Sequence, residues 1–162
     1  MSDSSTSLLL LGARFHARRR AVNEVVARAA QLANGQPNVP VVVVVGSYAY
    51  GRPRMGSDVD LVILTERVDE HLADLAFAHR IAPGGRVIRR EQWGPMHERR
   101  VRLGSGMLVE FGMATPDWAG VPLDAGTAKV LSNGCKIVAD DGTMTAALAS
   151  IGLPPLHWQP VK

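Results

Sequence analysis

Five consecutive valines, Val41 to Val45, constrain the fold of this 162-residue chain more than any other feature. β-Branched side chains favour extended backbone. A strand with no polar alternation is stable only where both of its faces are covered. The run therefore predicts an inner strand of a sheet with structure packed above and below it. Leu61 to Leu64 is a second apolar run of the same kind. The twelve residues from Gly46 to Ser57 that separate the two open on Gly46-Ser47 and are rich in Gly, Pro and Ser, a loop composition.

Helical periodicity lies on either side of this pair. From about Ala13 to Ala33, Val22, Val25, Val26 and Ala29 recur at core-facing spacing, while Arg20, Glu24 and Arg28 form an i,i+4 series on another face. Asn34-Gly35 ends that helix. Glu70 to Ile81 reads as one helix, with Leu72, Leu75, Ala76 and His79 on one side, closed by Pro83-Gly84-Gly85. Arg86–Arg90, Arg99–Leu103 and Met107–Met113 read as extended, the last two joined through Gly104-Ser105-Gly106 as a hairpin. Ala125–Leu131 and Met144–Ile151 read as short helices flanking a strand at Lys136–Ala139. The economical architecture is α/β (α+β), a mixed sheet of about five strands flanked by helices. It forms one domain over residues 13–153, with a flexible leader at 1–12 and a loose proline-rich tail at 154–162.

Asp58 and Asp60 precede and enter the second apolar run. Residues two apart on a strand share a face, with Cα atoms roughly 7 Å apart. Asp58 and Asp60 therefore point together. Two acids at the head of a buried strand are costly unless a cation balances them. Magnesium suits such a pair, because it takes oxygen ligands and leaves positions open for phosphate oxygens. Gly46-Ser47 follows the valine strand directly, where a glycine lets backbone approach a ligand and tight-turn amides cradle phosphate. One strand end thus offers donors for a triphosphate and the next offers acids for its metal, a pairing that phosphoryl-type chemistry requires. Glu110, flanked by apolar residues in Leu108-Val109-Glu110-Phe111-Gly112, is the candidate third acid, as metal ligand or general base.

Other chemistries find no support. The glycine spacings 46–51 and 51–56 match a P-loop, but Arg52 or Ser57 stands where lysine is required. No Gly-x-Ser-x-Gly elbow occurs. His97-Glu98 lacks the second histidine of a zincin, and the one cysteine, Cys135, excludes a multi-cysteine zinc site and an internal disulfide. Net charge is +3. The arginine runs 18–20, 89–90 and 99–100 read as solvated faces, with nucleic-acid contact as the sharper alternative. Trp93, Trp118 and Trp158 read as core or cover residues. No stretch reaches transmembrane length, and the lone cysteine suits a reducing compartment, so a cytoplasmic protein without membrane contact is expected.

Gly46-Ser47 followed by Asp58-Val59-Asp60-Leu61 resembles the Gly-Ser…Asp-hydrophobic-Asp pattern of the DNA polymerase beta-like nucleotidyltransferase superfamily. It is most similar to the minimal nucleotidyltransferase branch, whose members read Gly-Ser-Arg-Ala-Arg-Gly and then Ser-Asp-hydrophobic-Asp-Leu. Ala49, Gly51, Arg54, Ser57, Asp58, Asp60 and Leu61 fall in register. Glu110 matches the third carboxylate of the family. The resemblance covers about residues 40–65, with 107–112 in support. It implies a nucleotidyltransferase fold and transfer of a nucleoside monophosphate, AMP from ATP, assisted by two magnesium ions on Asp58, Asp60 and Glu110. Gly46, Ser47, Arg54 and Ser57 would hold the nucleotide. Tyr48 and Tyr50 stand where the family often has arginine, leaving Arg52 or Arg54 as substitutes. The acceptor is open among a small molecule, a protein and RNA. A homodimer could complete the acceptor wall. Alternatively, the chain could bind nucleotide or pair with a helical toxin, antitoxin-like, without turnover.

Overall fold

A computed structural model describes residues 2–54 and 56–162. The elements are helices α1 (Ser2–Gly35), α2 (Ser47–Tyr50), α3 (Val68–Asp74), α4 (Ala76–Ile81), α5 (Ala125–Ser132) and α6 (Thr143–Ser150), and strands β1 (Val41–Val45), β2 (Val59–Leu64), β3 (Arg86–Trp93), β4 (Met96–Arg102), β5 (Leu108–Ala114) and β6 (Cys135–Ala139). A short 3-10 helix spans Pro116–Ala119. The strands form one six-stranded sheet in the order β3-β4-β5-β2-β1-β6. Among the described strands β2 and β5 pair in parallel and the other neighbours pair antiparallel, so the sheet is mixed. The six strands correspond to the six extended segments of the sequence, one more than the expected five or so, and Arg86–Arg90 lengthens to Trp93 as the hairpin partner of β4.

The valine run behaves as its composition dictates. Val42 and Val44 pack with Val22, Val25, Val26 and Ala29 of α1, while Val41 and Val43 pack on the opposite face with Leu131, Met144 and Leu148. Each buried valine contributes on the order of 1.5–2 kcal/mol relative to exposure. On the α1 face, Phe77 of α4 meets Phe111 of β5 edge-on, ring centroids 5.3 Å apart.

Three local expectations are corrected. The helix over Glu70–Ile81 is two helices, because Leu75 adopts a left-handed conformation with φ 56°. Its amide closes α3 on the His71 carbonyl, and the Asp74 carboxylate then accepts a bond from the Ala76 amide to start α4. The buried side chains of α4 are Phe77, Ala78 and Ile81, and His79 and Ala76 are exposed. The residues read as a flexible leader, from Ser2 to Gly12, are helical and continuous with the core-packed part of α1; Leu8 to Leu11 are exposed on it. Met1 lies outside the described residues.

The tail read as loose is tied down at three points. The Ile137 amide donates to the Leu156 carbonyl (2.7 Å), and the Trp158 amide donates to the Ile137 carbonyl (2.9 Å), so the chain covers the free edge of β6. The Asn23 side chain then clasps Val161, donating to its carbonyl at 3.0 Å and accepting from its amide at 2.8 Å. Sequence composition marks the prolines of this segment but not its partners. We expect Asn23→Ala to cost about 1–2 kcal/mol, the loss of two half-buried hydrogen bonds. A lowered urea midpoint with an unchanged slope would show this, and an unshifted midpoint would contradict it.

Candidate active site

Asp58, Asp60 and Glu110 converge on one sheet face because of strand register. Asp60 of β2 is directly opposite Glu110 of β5 in the parallel ladder. Asp58 lies two residues before Asp60 and so shares its face. One carboxylate oxygen from each residue lies within 4.8 Å of the others. The sequence placed all three as metal ligands, and the structure brings them together.

The valine strand ends beside them. Val45 pairs with Asp60, and Gly46 turns away with φ 72° into α2. A Cβ at Gly46 would collide with the Asp60 carboxylate. Glycine is therefore required twice at position 46, by backbone conformation and by contact. Ser47 opens the α2 turn and is half-buried. Ser57 accepts a bond from the Arg54 amide (2.7 Å) and donates its own amide to the Arg54 carbonyl, fixing the turn ahead of Asp58. Arg52 and Arg54 are exposed on the same loop. Tyr48 is buried in the α1-side core, where a charged arginine would be stranded, and Tyr50 faces outward over Gly134.

Two arginines complete the charge pattern. Arg100 of β4 is opposite Glu110, and Arg89 of β3 is opposite Arg100. The Arg100 guanidinium lies 3.2 Å from Glu110 and 3.5 Å from Asp58, and Arg89 donates to Glu110 at 3.1 Å. This corrects the reading of the runs 89–90 and 99–100 as solvated faces: one member of each is a counter-ion to the acids. The signal was present in the sequence. A hairpin centred on Ser105 pairs Arg100 with Glu110 directly.

The arginines only partly offset the crowding. Burial, followed by the nearby charges of Glu110 and Asp58 and a hydrogen bond shared with Glu110, pushes Asp60 up to about 7. Arg100 opposes this shift. A bound cation would oppose the shift by favouring the ionised carboxylate. The three oxygen ligands, the close glycine backbone and the raised Asp60 all fit a hard divalent ion such as magnesium. Cys135, by contrast, is buried and its thiol is pushed up to about 12, so it is chemically quiet.

A cavity of about 540 Å³ opens over the same face, with Asp60 and Glu110 on its floor. Its walls include Tyr50, Trp93, Glu98 and Trp118. Trp93, expected as core or cover, is exposed at the β3–β4 tip and donates its indole N–H to Glu98 at 2.9 Å. Trp158 does pack against the core. Glu98, Trp93 and Tyr50 were not singled out as site residues from the sequence.

Residues 28–93 match the sequence model of the nucleotidyltransferase domain family. The matched segment contains the Gly46-Ser47 turn, Asp58 and Asp60, while Glu110 lies beyond it. Over that segment, less than half of the chain, the protein is similar to the nucleotidyltransferase domain family. No curated protein matches the chain. Among solved structures, an aminoglycoside 6-adenyltransferase from Bacillus subtilis superposes with a TM-score of 0.47 at 10% identity, covering 71% of this chain and 40% of that one. The Cid1 poly(U) polymerase superposes with a TM-score of 0.43 at 22% identity, over 61% and 30% of the two chains. Terminal uridylyl transferase 4 from Trypanosoma brucei, with bound UTP and UMP, gives 0.39 at 19% identity over 67% and 36%. The chain thus spans 40% or less of the length of each of these proteins.

Two outcomes are expected. Gly46→Ala should destabilise the protein by about 1–3 kcal/mol through the forced contact and the positive φ, read by thermal or urea unfolding; unchanged stability would contradict the close approach. The second concerns pH. Asp60 holds its proton more tightly when folded than when unfolded, since its folded value of about 7 exceeds the ordinary 3.8. Its stabilising contribution is therefore full below about pH 4 and is lost as pH rises toward and through 7. The melting temperature of metal-free protein should fall over that window, and magnesium should raise it more at pH 8 than at pH 5. Equal magnesium shifts at both pH values would count against the assignment.

Proposed function

We propose that the chain is a magnesium-dependent nucleotidyltransferase that transfers a nucleoside monophosphate, AMP from ATP in the first instance, to a hydroxyl-bearing acceptor. The observation that carries this reading is the set of three carboxylates within 4.8 Å of one another beside the Gly46-Ser47 turn. Asp58, Asp60 and Glu110 would hold two divalent ions. When bound, such ions neutralise triphosphate charge and polarise the α-phosphate.

The chain's own groups supply the rest. The Gly46-Ser47 turn, with Arg54 and the Ser57 turn behind it, would hold the β- and γ-phosphates. The nucleoside would occupy the cavity, whose volume and aromatic walls suit a ligand of that size. Glu110 would take the acceptor proton; Arg89 and Arg100 keep its carboxylate in place. The domain match and the absence, among the described residues, of any helix able to cross a membrane are compatible with an enzyme working in the cytoplasm.

A second reading rests on Tyr48. Its buried position provides no phosphate contact where the superfamily often has arginine. A chain that binds nucleotide or a helical protein partner without turnover would tolerate that loss.

One assay separates the two. Purified protein is incubated with magnesium, cell extract and each of four labelled triphosphates in turn. Transfer predicts label in an acceptor and release of pyrophosphate, reduced at least 1,000-fold (about 4 kcal/mol) in Asp58→Ala/Asp60→Ala. Full activity in the double variant would overturn the site assignment. Intact triphosphate retained on the protein after long incubation would favour the non-catalytic reading.

A further inference from the structure

Trp93 closes the β3–β4 hairpin, where a turn needs no large side chain. Its cross-strand partner Met96 is buried, while Trp93 is 63% exposed. The tip itself is stiff. Gly94 takes the positive φ (57°) that a two-residue hairpin turn requires at its first position, and Pro95 fixes the second. The Gln92 side chain donates to the Gly94 carbonyl at 3.0 Å. The indole is fixed as well, because its N–H donates to Glu98 at 2.9 Å. Burial pushes the half-buried Glu98 carboxyl up, and the indole bond works against that shift, so each side chain holds the other.

Strand parity shows where the ring is held. Glu98 is opposite Gly112, and Glu98, Met96 and Trp93 share the face of Glu110, Asp60 and Val62. Gly112 keeps the cavity floor low there, since a Cβ at that position would press on the Met96 sulfur at 2.9 Å. The bond to Glu98 draws the indole back from the hairpin tip. It points toward a residue one strand across and two residues along from Glu110. That step is roughly 8 Å, the scale of a ribose between its 5′-phosphate and its base. Trp118 and Val130 line the same cavity.

The charge of the lining selects which part of a nucleotide belongs beside Trp93. Asp60, Glu98, Glu110 and Asp124 line the cavity, and among the described residues no lysine or arginine does. Away from a bound cation, such walls repel phosphate. The Gly46-Ser47 turn lies on the other side of the acids in the strand order, at the end of β1. A flat, uncharged group with a large π face is what suits the Trp93 side. Stacking of a base on an aromatic side chain is worth about 5- to 150-fold in affinity.

We propose that Trp93 stacks on the base of the bound nucleotide and that Glu98 is the positioning residue that holds its indole there. The inference rests on the nucleotidyltransferase reading and adds a base-binding side to it. The hairpin tip carries the ring, and β4 carries the group that aims it.

The test uses the full chain with magnesium and two probes, read by titration calorimetry. One is α,β-methylene-ATP, which carries base and triphosphate and resists transfer. The other is inorganic tripolyphosphate, which has no base. Trp93→Ala should weaken the nucleotide at least tenfold and leave tripolyphosphate within twofold. Glu98→Ala should weaken the nucleotide at least threefold, again sparing tripolyphosphate. Glu98→Gln, which keeps an acceptor oxygen for the indole, should bind within twofold of the unaltered chain. In a Trp93→Ala background, Glu98→Ala should add no further loss, as expected of a residue acting through the ring. Circular dichroism confirms that each variant is folded. Unchanged nucleotide binding in Trp93→Ala, or equal losses of the two probes, overturns the proposal. A full Glu98→Ala loss that persists without Trp93 overturns the positioning role. Tripolyphosphate bound as tightly as the nucleotide by the unaltered chain overturns the base site and leaves the metal and triphosphate half standing. Binding of neither probe refutes the nucleotidyltransferase reading, and the proposal with it.

Discussion

Three carboxylates held within 4.8 Å on one sheet face set the terms for the rest of the molecule. They cannot all be ionised there without nearby positive charge. The protein supplies some of it through Arg100 and Arg89, which reach in from the neighbouring hairpin. The remaining imbalance appears in Asp60, whose carboxyl is held near 7 chiefly by burial and by its acidic neighbours. A site left in this state favours any process that brings a cation in. On the proposed function, binding a triphosphate with its magnesium would be such a process.

The sheet is built so that the acids cannot drift. A run of five valines gives β1 no register information of its own, because a slip of one residue exchanges valine for valine. Register comes from its end. Only Gly46 fits against the Asp60 carboxylate, and Val45 in that place would bring a β-branched side chain onto it. The parallel pairing of β2 with β5 then sets Glu110 opposite Asp60, and the antiparallel pairing of β5 with β4 sets Arg100 opposite Glu110. The three pairings together line up the glycine, the two facing acids and the arginine across four strands. Burial of the valines holds the sheet.

Much of this was legible in the sequence. The valine strand, the second apolar strand, the short C-terminal elements and the Asp58–Asp60–Glu110 set are signalled by local periodicity and by residue type. What was missed depends on partners distant in sequence. The Leu75 break is a backbone conformation that helical periodicity does not encode. The tail looks unstructured because its anchors, Asn23 and Ile137, lie far upstream. The arginine pairs read as solvated runs because adjacent arginines give no hint of sheet direction. Alternate members of each run face opposite sides of the sheet, so one joins the acids and the other does not. Trp93 resembles a core residue by type, but its place at a hairpin tip turns it to the cavity.

On the proposed function, the three carboxylates together hold a divalent ion beside a nucleotide. Electron paramagnetic resonance of manganese, substituted for magnesium and titrated with a non-hydrolysable triphosphate analogue, tests this directly. Tight manganese binding is expected that depends on the nucleotide and is weakened at least tenfold in Glu110→Gln, a variant that keeps the side-chain shape. Manganese bound equally well by that variant and by Asp58→Asn/Asp60→Asn would contradict it.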